Sequence, residues 1–215
     1  MNGLVNMLMK DRDFPVLFTF TDFEKIGFLK DEYQKELNEG LQSKYIDRVY
    51  DEIYTLNVKY RKKAIPKRVL SQMIVPNSYV SMYYVLCDYD WIPEMIFTVT
   101  SVTVKEDCMV DANGYGSFMY TPLYEKMPTA GIYDKNDFGD LSYKAARPLR
   151  ALCDLLYRKN KNWPWSLLNL YENFRIFPDS LEEDLTSDDF DELQGAFGVK
   201  TIEDFLQKTR KELAL

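Results

Sequence analysis

The segment that opens at Pro148 constrains the fold more tightly than any other. Proline fits the first turn of a helix, where its missing N–H goes unused, and Leu149, Leu152, Cys153 and Leu156 follow at i, i+3, i+4 and i+7. A helix with one buried stripe needs a layer to cover it. The chain offers that layer upstream. From Ile96 to Val104 apolar and Ser/Thr residues alternate, and a second such run spans Ser117 to Leu123. Before the second run stands Asn113-Gly114-Tyr115-Gly116, whose Asn-Gly pair suits the positive φ angles of a tight turn. The pattern predicts a β-hairpin packed with helices.

The N-terminal stretch has a different grammar. Residues 4 to 9 are apolar enough for a short helix, and Val16-Leu17-Phe18 is a second apolar run after Phe14-Pro15. Thr21 and Glu24 are spaced as a capping box, and Gly27 gives that helix an early stop. A third helix fits Asp31 to Glu39, with Tyr33 and Leu37 on one face and Gly40 as a positive-φ exit. Tyr45 to Val49 and Ile53 to Leu56 then read as a hairpin around Tyr50-Asp51-Glu52. Helices followed by a small hairpin make a winged helix-turn-helix. The basic run from Lys59 to Arg68 marks the end of this unit. Beyond it, Asn77 or Ser78 caps a helix through Leu86 that Trp91-Ile92-Pro93 closes. The chain after about residue 160 is helical, with Ser180/Glu183, Thr186/Asp189 and Thr201/Asp204 as capping pairs and Ile202, Phe205 and Leu206 as a final apolar face. The expected architecture is α+β. A winged helix-turn-helix domain spans residues 1–62, and a mixed α/β domain with a small sheet and several helices spans 63–215.

Composition excludes much chemistry. The chain has no histidine, which removes Ser/His/Asp and Cys/His nucleophiles, His-ligated zinc and imidazole acid–base catalysis. Cys87, Cys108 and Cys153 are an odd set without CxxC spacing, as suits reduced thiols used as core filler. Gly114 and Gly116 lack the following lysine of a phosphate-binding loop, and Pro178-Asp179 has no downstream acid-x-Lys pair of a nuclease core. We expect no enzymatic activity, no cofactor and no metal. Asp11, Arg12 and Asp13 follow the first apolar stretch without a cleavage site, and no run reaches spanning length, so a cytoplasmic protein without membrane partners is expected.

Three stretches, taken in order, resemble the AbiEi-type antitoxins of bacterial abortive-infection systems. The first runs from Leu37-Asn38-Glu39-Gly40 through Tyr45-Ile46-Asp47-Arg48-Val49 to Ile53-Tyr54-Thr55-Leu56, and is similar to the end of that family's recognition helix and its wing. The second is Pro76-Asn77-Ser78-Tyr79-Val80-Ser81, continuing to Ile92-Pro93-Glu94 and Phe97 to Thr103. The third, Ala146 to Asp154, resembles the family's alanine-proline-lysine-alanine-leucine-aspartate helix. The resemblance implies an antitoxin of a type IV toxin–antitoxin system. Such a protein regulates its own transcription by binding operator DNA through the winged helix, and counters a nucleotidyltransferase-like toxin through the C-terminal domain. The wing departs from the family pattern, with Asp51 and Glu52 where a basic residue and a glycine are common.

Net charge is −7, so any DNA contact has to be local. Candidate DNA-binding residues are Lys30, Lys35, Lys44 and Arg48 around the third helix and hairpin, and Lys59, Arg61, Lys62 and Lys63 beyond it. That helix also carries Asp31, Glu32, Glu36 and Glu39, the wrong charge for phosphate. It is either a groove-facing element flanked by cations or a solvated face on a protein-interaction module that no longer binds DNA. The acids Glu182, Glu183, Asp184, Asp188, Asp189, Asp191 and Glu192 either dock a basic partner or favour helix N-termini in water. Trp163-Pro164-Trp165 reads as a helix–helix corner.

Overall fold

A computed structural model describes residues 3–11, 14–138 and 141–215; Arg12 and Asp13 lie outside that range. Gly3–Lys10 forms α1, Phe20–Glu24 α2 and Lys30–Gln42 α3, followed by an antiparallel hairpin of β1 (Ile46–Tyr50) and β2 (Ile53–Leu56). These elements close around a core of their own that includes Leu4, Val5, Phe23, Tyr33 and Leu37. The capping box of α2 is displaced from the expected pair. Thr19 is the N-cap and Asp22 the N3 partner, whereas Thr21 and Glu24 lie within the helix.

Gly40 is not the exit of α3. The helix continues to Gln42, and the positive-φ residue is Lys44, at 56°. Gly40 instead makes room. A Cβ there would come within 2.6 Å of Ile46 Cδ1 and 3.4 Å of Val5 Cγ2, so its smallness lets α3 close on β1 and α1. The cost of glycine inside a helix is offset by that close approach.

After the basic segment come α4 (Lys67–Ile74), β3 (Tyr79–Val80), α5 (Tyr83–Asp88), β4 (Val99–Thr103), β5 (Cys108–Asp111), β6 (Ser117–Pro122), β7 (Ile132–Phe138) and β8 (Leu141–Ala146). The C-terminal helices are α6 (Pro148–Asn160), α7 (Leu167–Phe174), α8 (Pro178–Asp184), α9 (Ser187–Leu193) and α10 (Lys200–Glu212). The α+β class holds. The six strands form one mixed sheet in the order β5-β6-β4-β3-β8-β7, with β4/β6 and β3/β8 parallel and the other neighbours antiparallel.

Two expectations are corrected here. The alternating runs around 96–104 and 117–123 are not the arms of one hairpin. They pair in parallel as β4 and β6, and the Asn113-Gly114 turn joins β6 to the intervening β5. Nor does a helix start at Asn77 or Ser78. Tyr79 and Val80 are a strand, and α5 begins only after Met82, which has a φ of 56°.

The helix at Pro148 forms as its spacing predicts, and Leu149, Leu152, Cys153 and Leu156 are fully buried. Its burial goes further than one stripe, since every residue from Leu149 to Leu156 is buried. Of the three capping pairs, only Thr186/Asp189 caps a helix; Ser180 lies inside α8 and Thr201 inside α10. Trp165 is buried against Phe174 at a ring separation of 5.6 Å, while Trp163 is about half exposed. Among the described residues no helix is long and apolar enough to cross a membrane.

Candidate nucleic-acid interface

Strand alternation makes the β1–β2 hairpin two-faced. Ile46, Tyr54 and Leu56 turn toward the small N-terminal core, and Val49 and Ile53 join the large core of the C-terminal sheet. Arg48 pairs across the ladder with Tyr54 and lies over its ring at 5.5 Å, on the small-core face. Asp47 pairs with Thr55 on the opposite face.

That opposite face is clamped by the β5–β6 turn. Tyr115 donates from its hydroxyl to Asp47 Oδ2 at 2.6 Å, and Asn113 Nδ2 donates to the Arg48 carbonyl at 3.2 Å. Arg61 stacks over the Tyr115 ring at 5.6 Å, and its Nη1 reaches Thr55 Oγ1 at 3.5 Å. Burial raises the Tyr115 pKa first, and its bond to the Asp47 carboxylate adds to the shift. The candidate cations are therefore divided. Arg48 stands on one face of the hairpin and Arg61 on the other.

Helix α3 presents a defined outer line. Tyr33, Leu37 and Gly40 are buried, and at 100° per residue the opposite side carries Asp31, Lys35, Asn38, Glu39 and Gln42, all exposed. Glu36 belongs to the flank that meets α1, where its carboxylate accepts the backbone N–H of Leu4 and caps that helix. Lys30 opens α3, and Lys44 follows it roughly 20 Å away along the axis. Lys59, Lys62 and Lys63 are exposed on the segment leaving β2, where the Lys59 amide is held by Asn57 Oδ1 at 3.1 Å.

The second and third stretches quoted above meet at a buried carboxylate. Asp154 on α6 accepts hydrogen bonds from Tyr79 at 2.8 Å, Ser81 at 2.7 Å, Tyr124 at 2.7 Å and Arg150 Nε at 2.9 Å. Arg150 also donates to the Tyr79 hydroxyl and to the Ala130 carbonyl. Both ionic side chains are fully buried. Burial alone lowers the Arg150 pKa, but the Asp154 charge, together with Tyr79, Tyr124 and the hydrogen bond to Asp154, outweighs it and leaves the pKa raised. Burial raises the pKa of Tyr79 and Tyr124, and the Asp154 carboxylate adds to it. With the Arg150–Asp154 pair fully buried and bonded to Tyr79 and Ser81, the cluster holds β3 and α6 together. Arg150 and Asp154, the only charged residues in an otherwise apolar eight-residue run, are the signal that sequence reasoning left unused.

Much of the C-terminal acid is also committed. Asp184 accepts from Trp91 Nε1 at 2.7 Å, Glu192 from the Gly131 amide at 3.0 Å, and Asp189 closes the α9 capping box. Asp191 pairs with Arg210 at 2.7 Å. Among the described residues, no group of three or more His, Cys, Asp or Glu side chains could hold a metal ion. The chain matches no protein-family model and no curated protein.

Proposed function

We propose that the chain is a non-catalytic, antitoxin-like transcriptional regulator whose N-terminal unit is a winged helix that binds operator DNA. The observation that carries this reading is the outer line of α3. Glu36 is turned inward as a helix cap, which leaves Lys35, Asn38 and Gln42 facing outward beside the exposed acids Asp31, Glu32 and Glu39. Lysine suits phosphate or guanine, and the two amides suit adenine edges in the major groove. Lys30, Lys44 and Arg48 bracket the helix as backbone contacts. Convergence of Tyr79, Ser81, Arg150 and Asp154, all drawn from the stretches that resemble the AbiEi family, supports the same reading. By that resemblance the partner of the C-terminal domain is a nucleotidyltransferase-like toxin.

The test is a salt titration of fluorescence anisotropy with duplex DNA from upstream of the chain's own coding sequence. Binding whose log affinity falls linearly with log salt, and which Asn38→Ala weakens on that sequence but not on unrelated DNA, is the expected result. Binding without salt dependence, or none at all, would overturn the DNA half.

One observation favours a second reading, a protein-interaction module without DNA binding. Arg61 is folded against Tyr115 on the far side of the hairpin from Arg48, so these two residues do not extend one basic face. Co-purification of a toxin partner with full affinity by a Lys35→Glu, Arg48→Glu variant would support docking through other surfaces.

A further inference from the structure

Helix α7 buries Leu170 and Phe174 and turns Leu168 and Tyr171, one turn apart, to solvent. Tyr171 meets the ring of Phe177, just beyond the helix, at 5.2 Å. Arg175 Nη1 bonds Glu94 Oε1 at 2.7 Å, which brings the segment before β4 alongside. There Ile96 packs against the large core, and its neighbours Met95 and Phe97 are turned outward. The five side chains Met95, Phe97, Leu168, Tyr171 and Phe177 are between 46% and 74% exposed. At about 200 Å² for a fully exposed side chain of this size, they offer water roughly 600 Å² of apolar surface, the upper end for the largest patch on a typical monomer.

We propose that this face is the contact between two copies of the chain, related by a two-fold axis that passes close to the Arg175–Glu94 pair. A standard interface takes about 800 Å² from each partner, and the five apolar side chains with the surface around them supply most of that area. Charge argues for the same occupant. A two-fold axis sets a patch against itself, so a patch of one sign would repel its copy. Here the exposed Arg175 stands beside the exposed Glu94, and the guanidinium of each copy can reach the carboxylate of the other while the flanking apolar side chains cover one another. A membrane surface fits less well, because Glu94, Glu172 and Asp179 outnumber Arg175 along this rim and repel anionic lipid. The assignment is independent of whether α3 binds DNA.

Sedimentation velocity of the full chain tests it, over concentrations from about 1 to about 100 μM. A reversible monomer–dimer equilibrium within that range is expected. Leu168 is about two-thirds exposed, so Leu168→Glu should leave circular dichroism unchanged and weaken association at least about tenfold. Arg175→Glu and Glu94→Arg should each weaken it by roughly tenfold, since each sets like charges together. An equimolar mixture of those two variants separates a contact across the axis from one within the chain. In the mixed dimer each like-charged pair faces its opposite, so association should return toward that of the unaltered chain. A chain that stays monomeric throughout, a dimer indifferent to Leu168→Glu, or a mixture no tighter than its components would each overturn the proposal. So would a monomeric chain that co-sediments with phosphatidylglycerol vesicles and loses them with Leu168→Glu, since lipid would then cover the face.

Discussion

Tyr115 on the β5–β6 turn donates a hydrogen bond to Asp47 on β1 at 2.6 Å, joining residues 68 apart in sequence. The bond seats the sheet of the C-terminal region on the back of the N-terminal hairpin, beside the shared burial of Val49 and Ile53. Asp47 is also held by Asn57 Nδ2 at 3.1 Å, so the clamp reaches the start of the basic segment. Tyr115→Phe removes one hydrogen bond to a half-buried carboxylate and should cost about 1–2 kcal/mol. Tyr115→Ala, which also removes the ring beneath Arg61, should cost more. Urea unfolding measures both, and in Tyr115→Ala the chain between residues 57 and 66 should become the first site of limited proteolysis. Unchanged cleavage would show that the apolar contacts alone fix the hairpin.

Asp154 is the acceptor for four donors, and removing it strands them all. Asp154→Ala leaves Arg150 as an uncompensated buried charge and should destabilise the fold by about 3–5 kcal/mol. Replacing both partners, as Arg150→Met with Asp154→Leu, should cost less than Asp154→Ala alone, because no charge is then left without a partner. Denaturation midpoints of Asp154→Ala, of the double variant and of its two single changes decide this. A double variant as unstable as the sum of the singles would mean that Tyr79, Ser81 and Tyr124 depend on the ionic pair for their positions.

Alkaline pH should unfold the chain cooperatively. Burial raises the pKa of Tyr79, Tyr120 and Tyr124 above that of an exposed tyrosine. Above pH about 10 the unfolded chain loses protons that the folded chain keeps, so stability is complete below that pH and falls as pH rises. The slope is roughly 1.4 kcal/mol per pH unit for each such group, about 4 for the three together. Phenolate absorbance followed against pH should show the exposed tyrosines titrating first, with the buried ones appearing only as far-UV circular dichroism is lost. Their ionisation in a chain that stays folded would contradict the buried network.

The parts of this fold that rest on local patterns were legible in the sequence. Pro148 with its apolar spacing marks α6, and the short β-prone runs around Asp51-Glu52 mark the β1–β2 hairpin. What depends on distant partners was not. β7 carries Asp134, Lys135 and Asn136 on a sheet edge, where charge guards against further pairing and also hides the strand. β3 is two residues long and is defined by its neighbours β4 and β8. Gly40 looked like a helix stop because glycine commonly ends helices, but the space it leaves for Ile46 is a tertiary fact. The division of the candidate cations between two faces of the hairpin follows from pairing register, which composition does not encode.

Lys44 offers a way to separate charge from folding in the proposed interface. It is an exposed lysine in the left-handed region, with a φ of 56°, in the turn between α3 and β1. A non-glycine residue there is strained by about 1–2 kcal/mol, of which glycine would recover part after its own entropy cost. Lys44→Gly should therefore raise stability by about 0.5–1 kcal/mol, where most substitutions at a site of function lower it. If Lys44 contacts a phosphate, the same variant should weaken operator binding and reduce the slope of log affinity against log salt by about one. Thermal unfolding and anisotropy on one preparation read both effects. Higher stability with an unchanged salt slope would remove Lys44 from the interface and leave Lys30, Lys35 and Arg48 to carry the contact. A loss of stability would instead mean that the lysine stem packs across the turn and is needed there for folding.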